Sequence, residues 1–309
     1  MMDGVLNTSP ARDLLTKLSG MDTDKGNPRV KQIVQRVAAD LFRTIEDFDV
    51  TPAEFWAAMS YLTEVGARNE YGLLAAGLGV EHFLDLRFDE KERQAGLHGG
   101  TPRTIEGPLY LADAPLSQGD ARLDDGSEQG EVLFMEGQVR DTDGHPIAGA
   151  IVDVWHANTK GGYSFFDPSQ KPWNLRRRIE ADAEGRYRFR SILPSGYGCP
   201  PDGPTQKLLD QLGRHGRRPA HVHFFVSAPG YRQLTTQINI AGDEYLHDDF
   251  AFATRDELIP AVRRQEGAAE EKARGLNAPY SEITFDFTLN RAVADVPDTV
   301  VVRAHATAA

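Results

Sequence analysis

Two histidines separated by one residue are the first candidates for chemistry in this chain. His221 and His223 flank Val222 in the segment RPAHVHFF. In a β-strand, residues i and i+2 point to the same side, about 6.6 Å apart along the chain, so both imidazoles can approach one metal ion. Burying two histidines side by side is unfavourable unless something accepts or uses their lone pairs. The pair alone also fits two core histidines satisfied by hydrogen bonds.

Two tyrosines upstream lie in loop-like sequence that is rich in glycine. Tyr163 occurs in KGGYSFFD and Tyr197 in LPSGYGCPP. Glycine permits unusual dihedral angles and a close approach of the chain, which helps to aim a neighbouring side chain inward. Each tyrosine by itself also fits an ordinary loop aromatic that packs and forms a hydrogen bond.

The first hundred residues are predicted to be helical. Asn27 followed by Pro28 predicts a helix start, and the segment Thr51–Glu54 fits a capping box. The segment from Glu70 to Leu86 is also predicted to be helical, although its glycines weaken a helix. Apolar residues recur at steps of three and four after Pro28, and the simplest interpretation of the face that they form is core: Val30, Ile33, Val34, Val37, Leu41, Phe42 and Ile45.

From Val132 onward the apolar residues alternate with a period of two, which predicts strands. VLFMEGQVRD and GAIVDVWHA, joined by Asp-Thr-Asp-Gly-His, predict a β-hairpin. RYRFRSILP, HVHFFVSAP, LTTQINIAG and EITFDFTLN are further strand candidates. Short strands separated by turn residues predict a β-sandwich, so the chain as a whole is predicted to be α+β.

Composition excludes several classes of function. The chain has 309 residues and a net charge of -12, and such a surface repels nucleic-acid phosphate and anionic lipid. Its single cysteine, Cys199, allows no intrachain disulfide, as in a reducing compartment. The sequence shows neither a secretory signal nor an apolar stretch long enough to span a bilayer, so a cytoplasmic protein is predicted. Cys199, His156 and His215 are expected to have packing or loop roles.

Several segments closely resemble the intradiol ring-cleavage dioxygenases, and within them the catechol 1,2-dioxygenases. These segments are WHANTKGGYSFFD, NLRRRI, LPSGYGCPPDGPTQ, GRHGRRPAHVHFFVSAPGYRQLTTQIN, DDFAFATRD and TPRTIEGPLY. The resemblance implies an antiparallel β-sandwich catalytic core, residues 106–309. It also implies an N-terminal α-helical linker and dimerisation domain, residues 1–105, on which helices around residues 255–275 pack.

The resemblance implies one ferric ion per chain, bound by Tyr163, Tyr197, His221 and His223. Two phenolates and one hydroxide cancel the charge of a ferric ion, and a low-dielectric pocket tolerates a neutral complex. The resemblance further implies that Arg218 stabilises negative charge on the substrate ring and that Gln237 donates near the first tyrosine or the hydroxide. It places six apolar residues around the ring: Leu73, Ala76, Ile105, Pro108, Leu109 and Phe250.

The reaction implied by the resemblance is cleavage of catechol by dioxygen to cis,cis-muconate. The implied steps are bidentate chelation of the catecholate with displacement of Tyr197, activation of the ring, and peroxo and anhydride intermediates. A chlorocatechol or hydroxyquinol 1,2-dioxygenase with the same iron site is the alternative within the family, and a zinc hydrolase or a non-catalytic binding module are alternatives outside it. A homodimer through the N-terminal helices, with a phospholipid at its interface, is also implied.

Overall fold

A computed structural model describes residues 4–294 and residue 296. The chain forms two compact units, Met1–Ala67 and Arg68–Ala309. A boundary near residue 105 stays a prediction, and the outer limits of both predicted domains lie outside the described residues. The α-helices are α1 (Ser9–Leu18), α2 (Pro28–Asp47), α3 (Pro52–Ala67), α4 (Tyr71–Gly77), α5 (Val80–Gln94), α6 (Pro204–Gln211) and α7 (Ala268–Ala273). Among the described residues, no helix combines the length and the apolar character that crossing a membrane requires.

The helix starts follow the predicted capping residues. The side chain of Asn27 accepts hydrogen bonds from the first backbone N–H groups of α2. Thr51 N donates to Glu54 Oε2 at 2.8 Å and Glu54 N donates to Thr51 Oγ1 at 3.3 Å, so the capping box is confirmed. The helix predicted over Glu70–Leu86 is present as α4 and α5, separated at Gly79, whose φ is 71°.

The apolar face of α2 is exposed in the single chain, so its interpretation as core was wrong. Val37 at its centre is 62% exposed, and four more of the residues predicted to be core are exposed with it: Val30, Ile33, Val34 and Leu41. Helical periodicity shows which side of a helix is apolar, but it carries no information on what covers that side.

The strands belong to the second unit and form two larger sheets and one small one. They are β1 (Leu116–Gln118), β2 (Asp120–Arg122), β3 (Val132–Asp141), β4 (Ile151–His156), β5 (Arg176–Glu180), β6 (Arg186–Ile192), β7 (Tyr197–Gly198), β8 (Arg217–Arg218), β9 (His221–Ser227), β10 (Leu234–Asn239), β11 (Arg263–Gln265), β12 (Tyr280–Thr284) and β13 (Phe287–Leu289). One sheet has the order β1-β5-β4-β9-β10 and the other the order β11-β12-β3-β6-β2, with β13 also pairing with β3. β7 and β8 form the small sheet.

The two larger sheets pack face to face, which confirms the predicted sandwich. Phe224 of β9 lies 4.9 Å from Phe287 of the other sheet, measured between ring centroids. Val222 and Val226 belong to the same buried cluster as Phe224. Successive side chains of a strand point to opposite faces, so His221 and His223 lie on the outer face of the five-stranded sheet. The core residues of β9 thus fix the direction in which its two histidines point.

Strand pairing is antiparallel in the centre of the sandwich and parallel at several positions around it. The pairs β3·β6, β4·β5, β4·β9 and β9·β10 are antiparallel. The pairs β1·β5, β2·β6, β3·β12 and β3·β13 are parallel. The antiparallel prediction therefore holds for the strands that carry the histidines. In the region predicted to contain helices around residues 255–275, a 3₁₀ turn (Asp256–Leu258) and α7 flank the strand β11.

The hairpin predicted from β3 and β4 was wrong. β3 pairs with β6, β12 and β13, whereas β4 pairs with β5 and β9 in the opposite sheet. The turn itself does form, because Asp141 Oδ1 accepts hydrogen bonds from the backbone N–H groups of Asp143 and His145 at 3.0 and 2.9 Å. Turn residues determine a local reversal of the chain, but the strand that pairs next is decided by packing of the whole sheet.

Candidate metal centre and its pocket

The two histidines of β9 direct one nitrogen each to a common point. Nε2 of His221 lies 3.1 Å from Nε2 of His223. Nδ1 of His221 lies 2.6 Å from the carbonyl oxygen of Pro219, which can only accept, so this nitrogen carries the proton. The lone pair of His221 is therefore on Nε2. Two buried nitrogens this close together, at least one of them with its lone pair directed at the other, provide a site for a cation.

Burial keeps both imidazoles neutral. Desolvation, together with the positive charge of Arg218, lowers the pKa of His221 to about 3. Desolvation and the neighbouring His221 lower the pKa of His223 well below its ordinary value. Neutral imidazole is the form that binds metals, so both side chains are available as ligands near neutral pH.

Tyr163 is presented to the same point by a tight loop after β4. Asn158 anchors this loop, because its Oδ1 accepts hydrogen bonds from Lys160 N at 2.9 Å and from Gly162 N at 2.8 Å. The Tyr163 hydroxyl is buried and has no hydrogen-bond partner of normal geometry in the described part of the chain. Burial raises the pKa of Tyr163 well above its ordinary value. A phenol so placed ionises only beside a bound cation.

Tyr197 reaches the point from the small sheet. β7 pairs with β8, and the register places Tyr197 opposite Arg218. The hydroxyl of Tyr197 lies 3.4 Å from Nε2 of His221. The rings of Tyr163 and Tyr197 are perpendicular, with centroids 5.6 Å apart. Unlike Tyr163, which is 2% exposed, Tyr197 is only partly buried.

These four side chains fit a metal ion by their chemistry. Among the described residues, Tyr163 Oη is a buried polar atom without a hydrogen-bond partner, and the two Nε2 atoms face one another at 3.1 Å. A buried polar group without a partner is unfavourable, and a cation would satisfy these atoms together. Nη1 of Arg218 lies 3.1 Å from Nε2 of His221. A bound metal ion would replace the guanidinium as the partner of the Nε2 lone pair. Two phenol oxygens and two imidazole nitrogens form a donor set for a hard, highly charged ion.

Arg218 is buried beside this point, and its predicted role in stabilising charge on the substrate stays a prediction. Its guanidinium pairs with Asp249 at 3.0 Å, and both side chains are almost completely buried. Burial opposes the charged form, but the carboxylate of Asp249 raises the pKa of Arg218 above its ordinary value. Nη1 also lies 3.5 Å from the Tyr197 hydroxyl. A permanent positive charge therefore adjoins the convergence point.

Gln237 is fully buried, which excludes a solvent-facing strand residue. It lies opposite His223 in the β9·β10 register. Its Oε1 accepts from Nη2 of Arg218 at 2.8 Å, and its Nε2 donates to Asn239 Oδ1 at 3.2 Å. In this structure the partners of Gln237 are Arg218, Asn239 and, at 3.5 Å, the carbonyl oxygen of Ala253, and a donor role towards the first tyrosine or a hydroxide stays a prediction. Gln237 orients the guanidinium.

A cavity of about 540 Å³ opens beside the two tyrosines. Leu73, Pro108 and Leu109 line it together with Tyr163 and Tyr197, as predicted. The other three predicted wall residues, Ala76, Ile105 and Phe250, form a buried cluster against which Leu73 packs, and their place in the pocket wall stays a prediction. Glu70 and Glu106 also line it.

The residues expected to have no chemical role are placed accordingly. His156 points into the sandwich core, where its Nε2 accepts from Ser191 Oγ at 2.6 Å and joins the two sheets. His215 lies in a loop and contacts Asp248 at 3.0 Å. Cys199 is buried in the cluster behind the cavity, and burial raises the pKa of its thiol to about 12, so it is not a nucleophile.

Two contact residues of the site were missed by sequence reasoning. Asp249 holds Arg218, and its segment DDFAFATRD supported the resemblance without any role for Asp249. Trp155 stacks on His223, with ring centroids 4.9 Å apart. The sequence places Trp155 next to His156 on a predicted strand, so its side chain was expected to point to the face opposite that of His156. Its contact with His223 could not be predicted without knowing which strands pair.

Gly161 determines whether both tyrosines can share the site. Its φ is 81°, and a Cβ there would lie 2.6 Å from Cβ of Tyr197. We expect Gly161→Ala to displace Tyr197 and to reduce bound metal and turnover by about tenfold. Substitution of residues that orient metal ligands typically lowers metal affinity or activity by at least about this factor. The measurement is metal content and initial rate of the purified variant.

Gly213→Ala is the matched control for this prediction. Gly213 also has a positive φ, 68°, but a Cβ there meets no atom within 4 Å. Both variants introduce similar backbone strain, and only Gly161→Ala introduces a collision. Equal losses in the two variants would mean that backbone strain, and not the approach of Tyr197, is responsible.

Comparison with known proteins gives a consistent result over the whole chain. Residues 27–96 match the family described as "Catechol dioxygenase N terminus", and residues 105–291 match the family described as "Dioxygenase". The chain is 64% identical to catechol 1,2-dioxygenase 2 of Acinetobacter lwoffii over 84% of its own length and 95% of the relative's. It is 52% identical to catechol 1,2-dioxygenase of Acinetobacter baylyi, with 97% of both chains covered.

A solved structure is also similar to this chain over almost its whole length. The crystal structure of catechol 1,2-dioxygenase from Pseudomonas arvilla C-1 superimposes with a TM-score of 0.94 at 57% sequence identity, and the match covers 98% of each chain. Because the match covers 98% of each chain, it includes residues of both compact units.

Proposed function

The chain belongs to the intradiol catechol dioxygenase family, and from this premise we propose that it cleaves catechol with dioxygen to cis,cis-muconate. The observation that carries the proposal is that the Tyr197 hydroxyl and two neutral imidazoles meet at one buried point beside a cavity, with the buried ring of Tyr163 packed against Tyr197. A zinc hydrolase is not favoured, because zinc sites use histidine, cysteine and carboxylate ligands.

The proposed cofactor is one ferric ion per chain, held by Tyr163, Tyr197, His221 and His223. When bound, it supplies a Lewis acid that polarises the two oxygens of the diol and draws electron density from the ring. The donor set supports this choice, because phenolates suit a hard trivalent ion and cancel most of its charge in a buried site.

Tyr197 is proposed as the ligand that gives way to substrate. It is partly buried, lies on the two-residue strand β7 and contacts Arg218, whereas Tyr163 is enclosed by the Asn158 loop. The phenolate oxygen of Tyr197 can accept one of the two catechol protons as the substrate binds. Arg218 lies beside this oxygen and can compensate the charge change.

Arg218 is proposed to stabilise the negative charge that develops on the activated ring. Its guanidinium is fixed by Asp249 and Gln237, so it needs no reorientation during the reaction. The apolar side chains of Leu73, Pro108 and Leu109 provide a flat, dry wall for an aromatic ring. Their contacts exclude water from the activated ring and leave the diol edge directed at the tyrosines.

The decisive experiment combines spectroscopy and isotope labelling on the purified protein. A ferric–phenolate protein absorbs visible light, and the broad band should shift when catechol is added without oxygen. Turnover under ¹⁸O₂ should place both labelled atoms in one ring-opened product. A colourless, iron-loaded protein, or a product with fewer than two labelled oxygens, would contradict the proposal. Catechol should be turned over faster than chlorocatechol and hydroxyquinol; the reverse order would assign the chain to one of those neighbouring activities.

We also propose a homodimer through the N-terminal helices, with a phospholipid at its interface. The apolar face of α2 defined above is exposed in the single chain, and an exposed apolar face of this kind marks a contact with a protein or lipid. Light scattering and lipid extraction of the purified protein test the two parts separately. A protein that is monomeric at micromolar concentration would contradict the proposed dimer.

A further inference from the structure

The ring of His223 is held differently from the ring of His221. Nδ1 of His221 donates to the Pro219 carbonyl at 2.6 Å, whereas Nδ1 of His223 has no hydrogen-bond partner in the described chain. A metal-binding imidazole usually donates its second N–H to an acceptor, which fixes both the ring orientation and the tautomer. Another contact must therefore set the direction in which Nε2 of His223 points.

That contact is the indole ring of Trp155. The two rings are stacked, with centroids 4.9 Å apart and planes inclined by only 6°. Trp155 and His223 are directly opposite one another in the β4·β9 register, and such cross-strand pairs interact on the face that they share. Turning the imidazole about its own axis would break the stack.

Trp155 is itself immobilised by aromatic neighbours. It is 1% exposed, and the rings of Tyr110 and Phe225 pack against it with centroids 4.8 Å away in both cases. Its Nε1 has no hydrogen-bond partner among the described residues, so the indole acts through the contact area of its ring rather than through its N–H. An indole face is also electron-rich and favours a neighbouring ring that carries partial positive charge, as a metal-bound imidazole does.

We propose that Trp155 is a positioning residue of the metal centre. By stacking on His223, Trp155 fixes the orientation of that imidazole, whereas the imidazole of His221 is fixed by its hydrogen bond to Pro219. This inference rests on the proposed function, since it assumes that His223 binds the ferric ion. Trp155 contacts neither substrate nor metal, so its effect is expected on metal affinity and on the imidazole tautomer.

The test compares iron affinity in three variants of the full-length protein. Protein freed of metal by a chelator is titrated with ferric nitrilotriacetate, and the dissociation constant is taken from the visible band. Trp155→Leu removes the stack and should weaken iron binding about tenfold, the lower end of the range for residues that orient a ligand. Trp155→Phe keeps a smaller ring on His223 and should weaken it about two- to threefold.

Phe189→Leu is the matched control. Phe189 is 2% exposed and contributes its ring to the sandwich core, on the opposite side of the five-stranded sheet from His223. Its loss should lower the melting temperature without changing the iron dissociation constant. Equal weakening in Phe189→Leu and Trp155→Leu would overturn the proposal, because the effect would then be general loss of core packing.

A second readout does not require iron. Nitrogen-15 NMR of the histidine side chains should show one tautomer for His223 in the wild type and in Trp155→Phe, and a mixture in Trp155→Leu. An unchanged tautomer together with an unchanged iron affinity in Trp155→Leu would overturn the inference. If the leucine variant does not fold, Trp155→Phe decides, since it must still bind iron more weakly than Phe189→Leu. A wild type that binds no iron would instead overturn the proposed function, and the tautomers would still test the role of Trp155.

Discussion

Replacing His221 with alanine is expected to abolish bound iron, visible colour and turnover together. His221 supplies one of the two Nε2 atoms that face each other at 3.1 Å, and no other described side chain is placed to supply that nitrogen. Because loss of a residue that only orients a ligand costs roughly 10–100-fold in metal affinity, loss of the ligand itself should cost on the order of 1,000-fold or more. Iron content, the visible spectrum and the initial rate of catechol consumption measure the three effects.

His215→Ala provides the control for this prediction. His215 lies six residues earlier, in a loop where it contacts Asp248, and the convergent atoms do not include it. Its replacement should leave colour and rate within about twofold of the wild type, since surface substitutions away from a site have small effects. If His221→Ala kept its iron and its spectrum while remaining folded by circular dichroism, the ligand set proposed above would be incorrect.

Replacing Arg218 with glutamine is expected to damage both stability and catalysis. The variant leaves the buried carboxylate of Asp249 without its partner, and breaking a buried ion pair on one side costs about 3–5 kcal/mol in the free energy of unfolding. Loss of a fixed charge that stabilises developing negative charge should also lower kcat by about 100–1,000-fold. Denaturant unfolding and steady-state kinetics measure the two quantities. Arg217→Gln is the matched control, because Arg217 is the exposed neighbour on the same short strand β8.

The double variant Arg218→Gln/Asp249→Asn separates the two roles of the guanidinium. Removing the charge of Asp249 as well eliminates the unpaired carboxylate, so much of the lost stability should return. The rate should stay low, because the positive charge beside Tyr197 is still missing. Recovery of both stability and rate in the double variant would show that Arg218 has only a structural role.

The local features of the site could be predicted from the sequence because they depend on residues close together in the chain. The period of two in β9 placed Val222 and Phe224 on one face and both histidines on the other, and the structure has this arrangement. The capping residues Asn27 and Thr51 begin their helices as expected, since a cap involves only neighbouring backbone groups.

The features that sequence reasoning missed all depend on partners that are distant in the chain. β3 and β4 read as a hairpin because the turn between them is genuine, yet each pairs within a different sheet. The apolar character of Ala76, Ile105 and Phe250 fits a pocket wall and a core cluster equally well. The structure shows them buried in one cluster against which Leu73 packs, so their role in the pocket stays a prediction.

The sequence by itself determined the types of the candidate ligands, the shared face of the two histidines and, through its resemblance to known enzymes, the family. Tertiary structure alone decided that the hydroxyl of Tyr197 reaches His221 and that Tyr163 packs against Tyr197. It also decided that Asp249 pairs with Arg218 and that Trp155 stacks on His223. The physical reason is that a side chain's direction follows from its own strand or turn, whereas its neighbours follow from which strands pair and which faces are buried. The latter is set by packing of the whole sandwich and not by any local segment.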